Sequence, residues 1–191
     1  FLKNHQFFCF IFVWHSDPYD RLVSAYKDKV LRENGAYIRG HNVCPASMLN
    51  HPPAPALTFT QFVSCLINQA SSKVTSLTQF GAGENLDIYW RPQTLLCNFC
   101  MADFHIIGHL EHMDDDVSCA VKQLKLKNVT SVHDNVSQNN HSISHWYNQL
   151  NSTLRLRLSE LYSHDFRLLQ YSDKAPTEWW DIKSKIYTKI S

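Results

Sequence analysis

Residues 10–30, FIFVWHSDPYDRLVSAYKDKV, change character twice. The apolar run from Phe7 to Trp14 stops at His15-Ser16, and an Asp-Pro pair then opens a stretch with helical spacing. A continuous apolar run of this length predicts a buried strand over 7–14, and the polar pair after it a turn. Asp17 is placed to cap the following helix, with Pro18 at its first position and Asp20 three residues after the cap, close to a capping box. From that start Tyr19, Leu22, Val23, Tyr26 and Val30 share one helical face, while Arg21, Ser24 and Asp28 fall on the other. One face is built to pack and the other to meet solvent or a cleft.

The pattern continues in blocks. Residues 33–58 hold Gly35, Gly40, Pro45, Pro52, Pro53 and Pro55 and read as loop. Thr58 can cap a helix whose apolar stripe is Phe59, Phe62, Val63, Leu66 and Ile67. Residues 71–85 are rich in Ser, Thr and Gly and read as loop. The run FHIIGHL, 104–110, has strand character, and the acidic residues 114–116 suit the start of a helix with Val117, Val121 and Leu124 on one side. A polar stretch follows. Residues 145–171 carry the last helical pattern, with Leu150, Leu154, Leu158, Leu161 and Tyr162 in register. No internal repeat is visible.

Composition narrows the choices. A chain of 191 residues with 44% hydrophobic and 18% charged residues fits one domain, 1–191, around one core. A formal net charge of +1 gives no global attraction to nucleic acid or to an anionic membrane, so an anion site has to be local. The longest apolar run is far short of the roughly 20 residues a membrane helix needs. The chain opens on Phe1, so any leader or membrane anchor is expected upstream, and the chain itself is expected to be a fragment.

Two further patterns bear on chemistry. Asn128, Asn135, Asn140 and Asn151 each begin an Asn-x-Ser/Thr sequon, which fits a secretory-pathway lumen. Six cysteines (Cys9, Cys44, Cys65, Cys97, Cys100 and Cys119) leave their pairing open. Cys97 and Cys100, with His105, His109, Glu111 and His112, supply zinc-ligand types, but the gap from Cys100 to His105 is short for a zinc finger. A disulfide or packed thiols are the preferred reading there, with no metal, and a thioredoxin-type redox role is weaker still. His105 and His109 read as structural, and Trp179-Trp180 as packing. On general grounds a capped helix after a strand is architecture, although its N–H groups and dipole suit phosphate or sulfate, with Arg21 and Ser24 as added donors.

The segment DPYDRLVSAYKDK, Asp17 to Lys29, resembles the segment that binds the 3′-phosphate of the sulfate donor in Golgi carbohydrate sulfotransferases. The nearest subgroup comprises the chondroitin and dermatan 4-O-sulfotransferases and the N-acetylgalactosamine 4-sulfotransferases. YWRPQTLLCNFCMADFHIIGHLE, Tyr89 to Glu111, is similar to the family's His-Trp-x-Pro, Cys-x-x-Cys and Gly-centred run. LRLRLSELYSHDFRLLQY, Leu154 to Tyr171, resembles its C-terminal Tyr-x-x-Asp-Phe signature. Three matches in order are far more specific than one.

That resemblance implies an α/β fold with a central parallel sheet, related to P-loop kinases and here lacking its N-terminal part. It implies transfer of a sulfuryl group from 3′-phosphoadenosine 5′-phosphosulfate to a glycan hydroxyl, of glycosaminoglycan or N-acetylgalactosamine type. The donor's 3′-phosphate would be gripped by Ser24, with Arg21, and by the position of Ser16, where the family carries arginine. Tyr89, Trp90 and Arg91 would belong to the acceptor side, Tyr89 standing where many members have histidine. The family's loop around the 5′-phosphosulfate is found nowhere in this chain and is expected before Phe1, so the chain alone is expected to be inactive. The location implied is the Golgi lumen, in a single-pass type II membrane protein. The rival class is a non-catalytic relative that binds glycan or nucleotide, favoured by Ser16 in place of a bidentate cation.

Overall fold

The computed structural model describes residues 12–32, 36–41, 43–44, 57–97, 104–125 and 142–176. The first part of the strand expected over 7–14, Cys9, Cys100, the sequons at Asn128, Asn135 and Asn140, and Trp179-Trp180 lie outside the described residues. The fold mixes helices with a small parallel sheet. It divides into two compact units, Phe1–Ser16 with Cys97–Asn135 and Asp17–Leu96 with Val136–Ser191.

In the first unit, strand β1 (Phe12–His15) pairs in parallel with β2 (Ile106–His109) in the register Phe12 to Ile106 through His15 to His109. The strand thus takes in His15, and the polar turn begins one residue later than the apolar run suggests. Gly108 is required for close approach, since a Cβ there would sit 2.6 Å from Trp14 Nε1. After a short 3-10 turn, Leu110–His112, helix α5 (Met113–Gln123) begins with Asp114, Asp115 and Asp116 in its first turn, where the helix dipole favours negative charge. Asp116 Oδ2 also accepts a 2.7 Å bond from the His109 N–H, tying the helix start to the end of β2.

The second unit is helical. Helix α1 (Pro18–Ala25) starts as the sequence indicates, with the Asp17 carboxylate accepting from Tyr19 N at 2.7 Å. It runs on into a π-helical segment, Tyr26–Arg32. Tyr19, Leu22, Val23, Tyr26 and Val30 are all buried, so the packing face persists through the change of pitch. Helix α3 (Phe59–Ser71) has the full capping box: Thr58 N donates to Gln61 Oε1 at 2.9 Å, and Gln61 N donates to Thr58 Oγ1 at 3.3 Å. Its stripe of Phe59, Phe62, Val63, Leu66 and Ile67 is buried, each side chain contributing about 2 kcal/mol by area. Residues 72–92 form successive turns and lead to the short helix α4 (Gln93–Leu96).

Two segments depart from the sequence reading. The stretch expected as loop over 33–58 holds a short helix, α2 (Ala36–Gly40), in which Ile38 is fully buried and anchors the turn. The single helical pattern over 145–171 is three helices: α6 (Ile143–Tyr147), α7 (Ser152–Leu161) and α8 (Ser163–Leu168). Asn151 restarts the chain, its side chain accepting from Leu154 N at 2.8 Å, while Leu150 and Tyr162 are buried at the two junctions. The apolar period survives each break because the junction residues pack into the same core.

That core is bound together by tyrosines. Tyr26 packs on Phe59, Phe62 and Trp146 with ring centroids 5.2, 5.5 and 5.3 Å away, and Tyr19 on Tyr147 and Phe166 at 4.9 Å each. Their hydroxyls reach main-chain carbonyls: Tyr19 donates to Asp173 O, Tyr26 to Leu57 O, Tyr147 to Tyr19 O and Tyr162 to Trp90 O. Each closes a span between elements that aliphatic contact alone would leave without direction. A disulfide joins Cys44 to Cys65 on α3. Among the described residues no helix is long and apolar enough to cross a membrane.

The disulfide closes a loop with a sequence separation of 21 residues. Replacing Cys65 with Ser is expected to lower unfolding stability by about 3 kcal/mol on the chain-entropy scale. Urea titrations of the oxidised parent and the variant check it, and equal midpoints at equal slopes would contradict it.

Candidate functional site

The packed face of α1 leaves Arg21 and Ser24 on its other side, and the π-helical segment adds Asp28. In the second unit these three, with Ala25, Ile88, Tyr89 and Leu96, line a cavity of about 560 Å³. The sequence reading had Arg21 and Ser24 on the donor side and Tyr89 on the acceptor side, and the fold brings them to one wall. Asp28, Ile88 and Leu96 were given no role from sequence. Asp28 shares the helix face, which was its one available signal.

The surroundings of each residue define what it can do. Ser24 is exposed, with its hydroxyl at the cavity. The Arg21 guanidinium donates to Arg91 O at 2.7 Å and to Ile88 O at 2.6 Å. Asp28 pairs with Lys29 at 3.0 Å and with Arg32. Lys29 Nζ lies 4.5 Å from the Tyr89 ring centroid and 5.3 Å from that of Tyr37, a cation against two aromatic faces. Tyr37 donates to Asp87 Oδ2 at 2.8 Å, and burial followed by the Asp87 carboxylate pushes its phenol up to about 12. Trp90 is fully buried, 5.2 Å from Phe62, so its ring belongs to the core. Arg91 Nε donates to Leu86 O at 2.9 Å. Of the three acceptor-side residues, Tyr89 is the one that reaches the cavity.

The start of α1 is closed from within. Pro18 has no N–H, and the Asp17 carboxylate takes Tyr19 N. A negatively charged cap already answers the positive end of the helix dipole there. Ser16 and His15 belong to the first unit. His15 is buried with its ring 4.4 Å from that of His109, and desolvation, then the neighbouring His109, lower its pKa to about 4. That imidazole is neutral at ordinary pH and gives no cation in place of the family's arginine.

Behind the cavity wall stands a residue for which sequence reasoning had no role. Asp165 is completely buried, and its carboxylate accepts from Gln93 N at 2.7 Å, Thr94 N at 2.8 Å and Thr94 Oγ1 at 2.7 Å. Burial raises its pKa, while the Thr94 and Gln93 donors and the Arg21 charge pull the other way. Three residues earlier, the Tyr162 hydroxyl donates to Trp90 O at 2.6 Å. The Tyr-x-x-Asp of one motif therefore holds the Trp-x-Pro-Gln-Thr of another. The Tyr-x-x-Asp-Phe signature, Tyr162 to Phe166, was the signal in the sequence.

The first unit holds a smaller cavity of about 260 Å³, lined by His105, Ile106, Ile107, Asp116, Cys119, Ala120 and Gln123. Among the described residues no group of three or more His, Cys, Asp or Glu side chains could hold a metal ion. Cys119 is an exposed thiol, and Asn151, the one described sequon, is exposed.

Comparison with known proteins fits this arrangement of motifs. The sequence profile of the sulfotransferase family matches residues 2–172, and the chain belongs to that family. It is 26% identical over 186 residues to carbohydrate sulfotransferase 12 of Mus musculus, covering 89% of this chain and 41% of that protein. It is 27% identical over 187 residues to carbohydrate sulfotransferase 10 of Xenopus laevis, covering 92% and 50%. To carbohydrate sulfotransferase 8 of Mus musculus it is 26% identical over 173 residues, covering 82% and 38%. The chain thus spans half or less of the length of these relatives. No solved structure matches it.

Asp165→Ala strands two buried N–H groups and a hydroxyl and is expected to cost about 3 kcal/mol or more of stability. Asp165→Asn keeps one carbonyl oxygen for Thr94 and is expected to cost less, about 1–2 kcal/mol. Denaturant melts of both variants check the ranking, and a neutral alanine substitution would show that the buried carboxylate does not organise the α4 turn.

Proposed function

We propose that this chain is part of an enzyme that moves a sulfuryl group from 3′-phosphoadenosine 5′-phosphosulfate to a hydroxyl of a glycan. The observation that carries the reading is that Ser24, Arg21 and Tyr89, from two separate family motifs, line one cavity. In this reading the Ser24 hydroxyl donates to the donor's 3′-phosphate, and Arg21 adds positive charge behind it. Ser16 stands at the position of the family's arginine, in a weaker neutral form. Tyr89 offers an aromatic face to the acceptor sugar, with Trp90 and Arg91 fixing the turn that carries it.

The reaction is an in-line displacement: the acceptor oxygen bonds to sulfur as the bond from sulfur to the 5′-phosphate oxygen breaks. The hydroxyl proton passes to a base, and adenosine 3′,5′-bisphosphate leaves. As in phosphoryl transfer, the protein's work is positioning and charge stabilisation. The acceptor is of glycosaminoglycan or N-acetylgalactosamine type. The domain is read as single and related in fold to P-loop kinases, with the phosphosulfate end of the donor held by residues outside this chain.

The setting is read as the Golgi lumen, in a type II membrane protein anchored upstream. The Cys44–Cys65 disulfide supports an oxidising compartment, and exposed Asn151 supports access for glycosylation. The full-length protein made in animal cells is expected to lose mass on N-glycosidase treatment. No change in mass would count against the lumen.

Ser16 in place of arginine favours a second reading, a relative that keeps the fold and binds nucleotide or glycan without turnover. Titration calorimetry of the full-length protein with adenosine 3′,5′-bisphosphate addresses the shared site. Ser24→Ala is expected to weaken binding by about 1–2 kcal/mol, the scale of a hydrogen bond to a charged group. Ser16→Arg is expected to strengthen it. Unchanged affinity in both variants would remove the phosphate site from this part of the chain, and binding without sulfate transfer would select the second reading.

A further inference from the structure

We infer that Arg21 is a positioning residue, one that fixes the turn bearing Tyr89 at a set distance from Ser24. The inference rests on the reading of this cavity as the sulfotransferase site. The Arg21 fork spans the turn, one nitrogen on Ile88 O and another on Arg91 O, so that both bonds bracket Tyr89. Arg21 is also three residues before Ser24 on α1, which puts the fork and the hydroxyl on one helical face.

The rest of the turn is held in the same manner. Leu86 O accepts from Arg91 Nε and Trp90 O from the Tyr162 hydroxyl. Asp87 accepts from the Tyr37 hydroxyl through one oxygen and from Tyr89 N at 3.1 Å through the other. Carbonyls at 86, 88, 90 and 91 are therefore all engaged by side chains, and the turn has little freedom to bend. What it leaves outward is apolar: Ile88 is 55% exposed and Tyr89 37%. A rigid turn presenting an aliphatic and an aromatic side chain suits the C–H face of a pyranose ring, whose hydroxyls can meet the polar wall of Ser24 and Asp28.

A planar fork is needed for two carbonyls at once, and a lysine can serve one. The consequence is separable from a direct phosphate contact. Arg21→Lys keeps the charge beside Ser24 while releasing one or both carbonyls. In the full-length protein this variant is expected to speed amide hydrogen exchange in the Leu86–Arg91 segment and leave α1 unchanged. It is expected to raise acceptor KM about tenfold with little change in kcat, and to leave affinity for adenosine 3′,5′-bisphosphate within about twofold.

Loss of nucleotide affinity by about tenfold with exchange of the turn unchanged would make Arg21 a direct phosphate ligand and overturn the inference. Faster exchange with an unchanged acceptor KM would overturn the link to the acceptor. If the parent protein binds no nucleotide, the sulfotransferase reading of the cavity fails, while the exchange measurement still decides whether Arg21 fixes the turn. Should Arg21→Lys not fold, Arg21→Gln, which keeps one N–H donor group, repeats the exchange measurement, and parent-like exchange there overturns the inference.

Discussion

The carboxylate of Asp165 is the constraint on which the second unit turns. A charge removed from water has to be compensated locally, and here the compensation is the start of α4: two main-chain N–H groups and a hydroxyl. Such an arrangement contributes less through net energy than through direction. It fixes where Pro92, Gln93 and Thr94 must lie, and thereby where the turn just before them can go. With Tyr162 on Trp90 O, the C-terminal helices determine the placement of residues some seventy positions earlier, as the sequence separations of 71 and 72 in these bonds record.

The same logic extends outward from α4. The buried indole of Trp90 lies beneath the turn, its neighbour Tyr89 stands outside, and Arg21 reaches across from α1. Family motifs that are far apart in the sequence are thus one mechanical assembly. This explains why a residue deep in the core and a residue at the cavity carry the same signature: one holds what the other presents.

Much of this was legible beforehand and some was not. The capped start of α1, the stripe of α3 and the acidic start of α5 are local, set by side chains within a few residues of one another, and the periodicity shows them directly. The sheet partner of β1 was not legible, because parallel pairing depends on a segment far along the chain. Nor was the division of 145–171 into three helices, since Leu150 and Tyr162 continue the apolar period through both breaks. At the cavity, Arg21 and Ser24 were visible as a polar helix face, but the partner of Arg21 was not: main-chain carbonyls leave no mark in a sequence. Asp17 illustrates the converse. Its capping role was clear, yet capping also occupies the helix end that general reasoning offers to an anion.

The pairing of Phe12 with Ile106 has a consequence for the order in which the chain can fold. The two strands are separated by roughly ninety residues, so joining them closes a long loop whose entropy is recovered only after the intervening segment has become compact. Synthesis delivers β1 first and its partner much later, with the whole of α3 and the disulfide loop between. The apolar edge of β1 therefore spends the early life of the chain unpaired, open to wrong partners until Ile106–His109 has been made. The small sheet is thus a late product of folding.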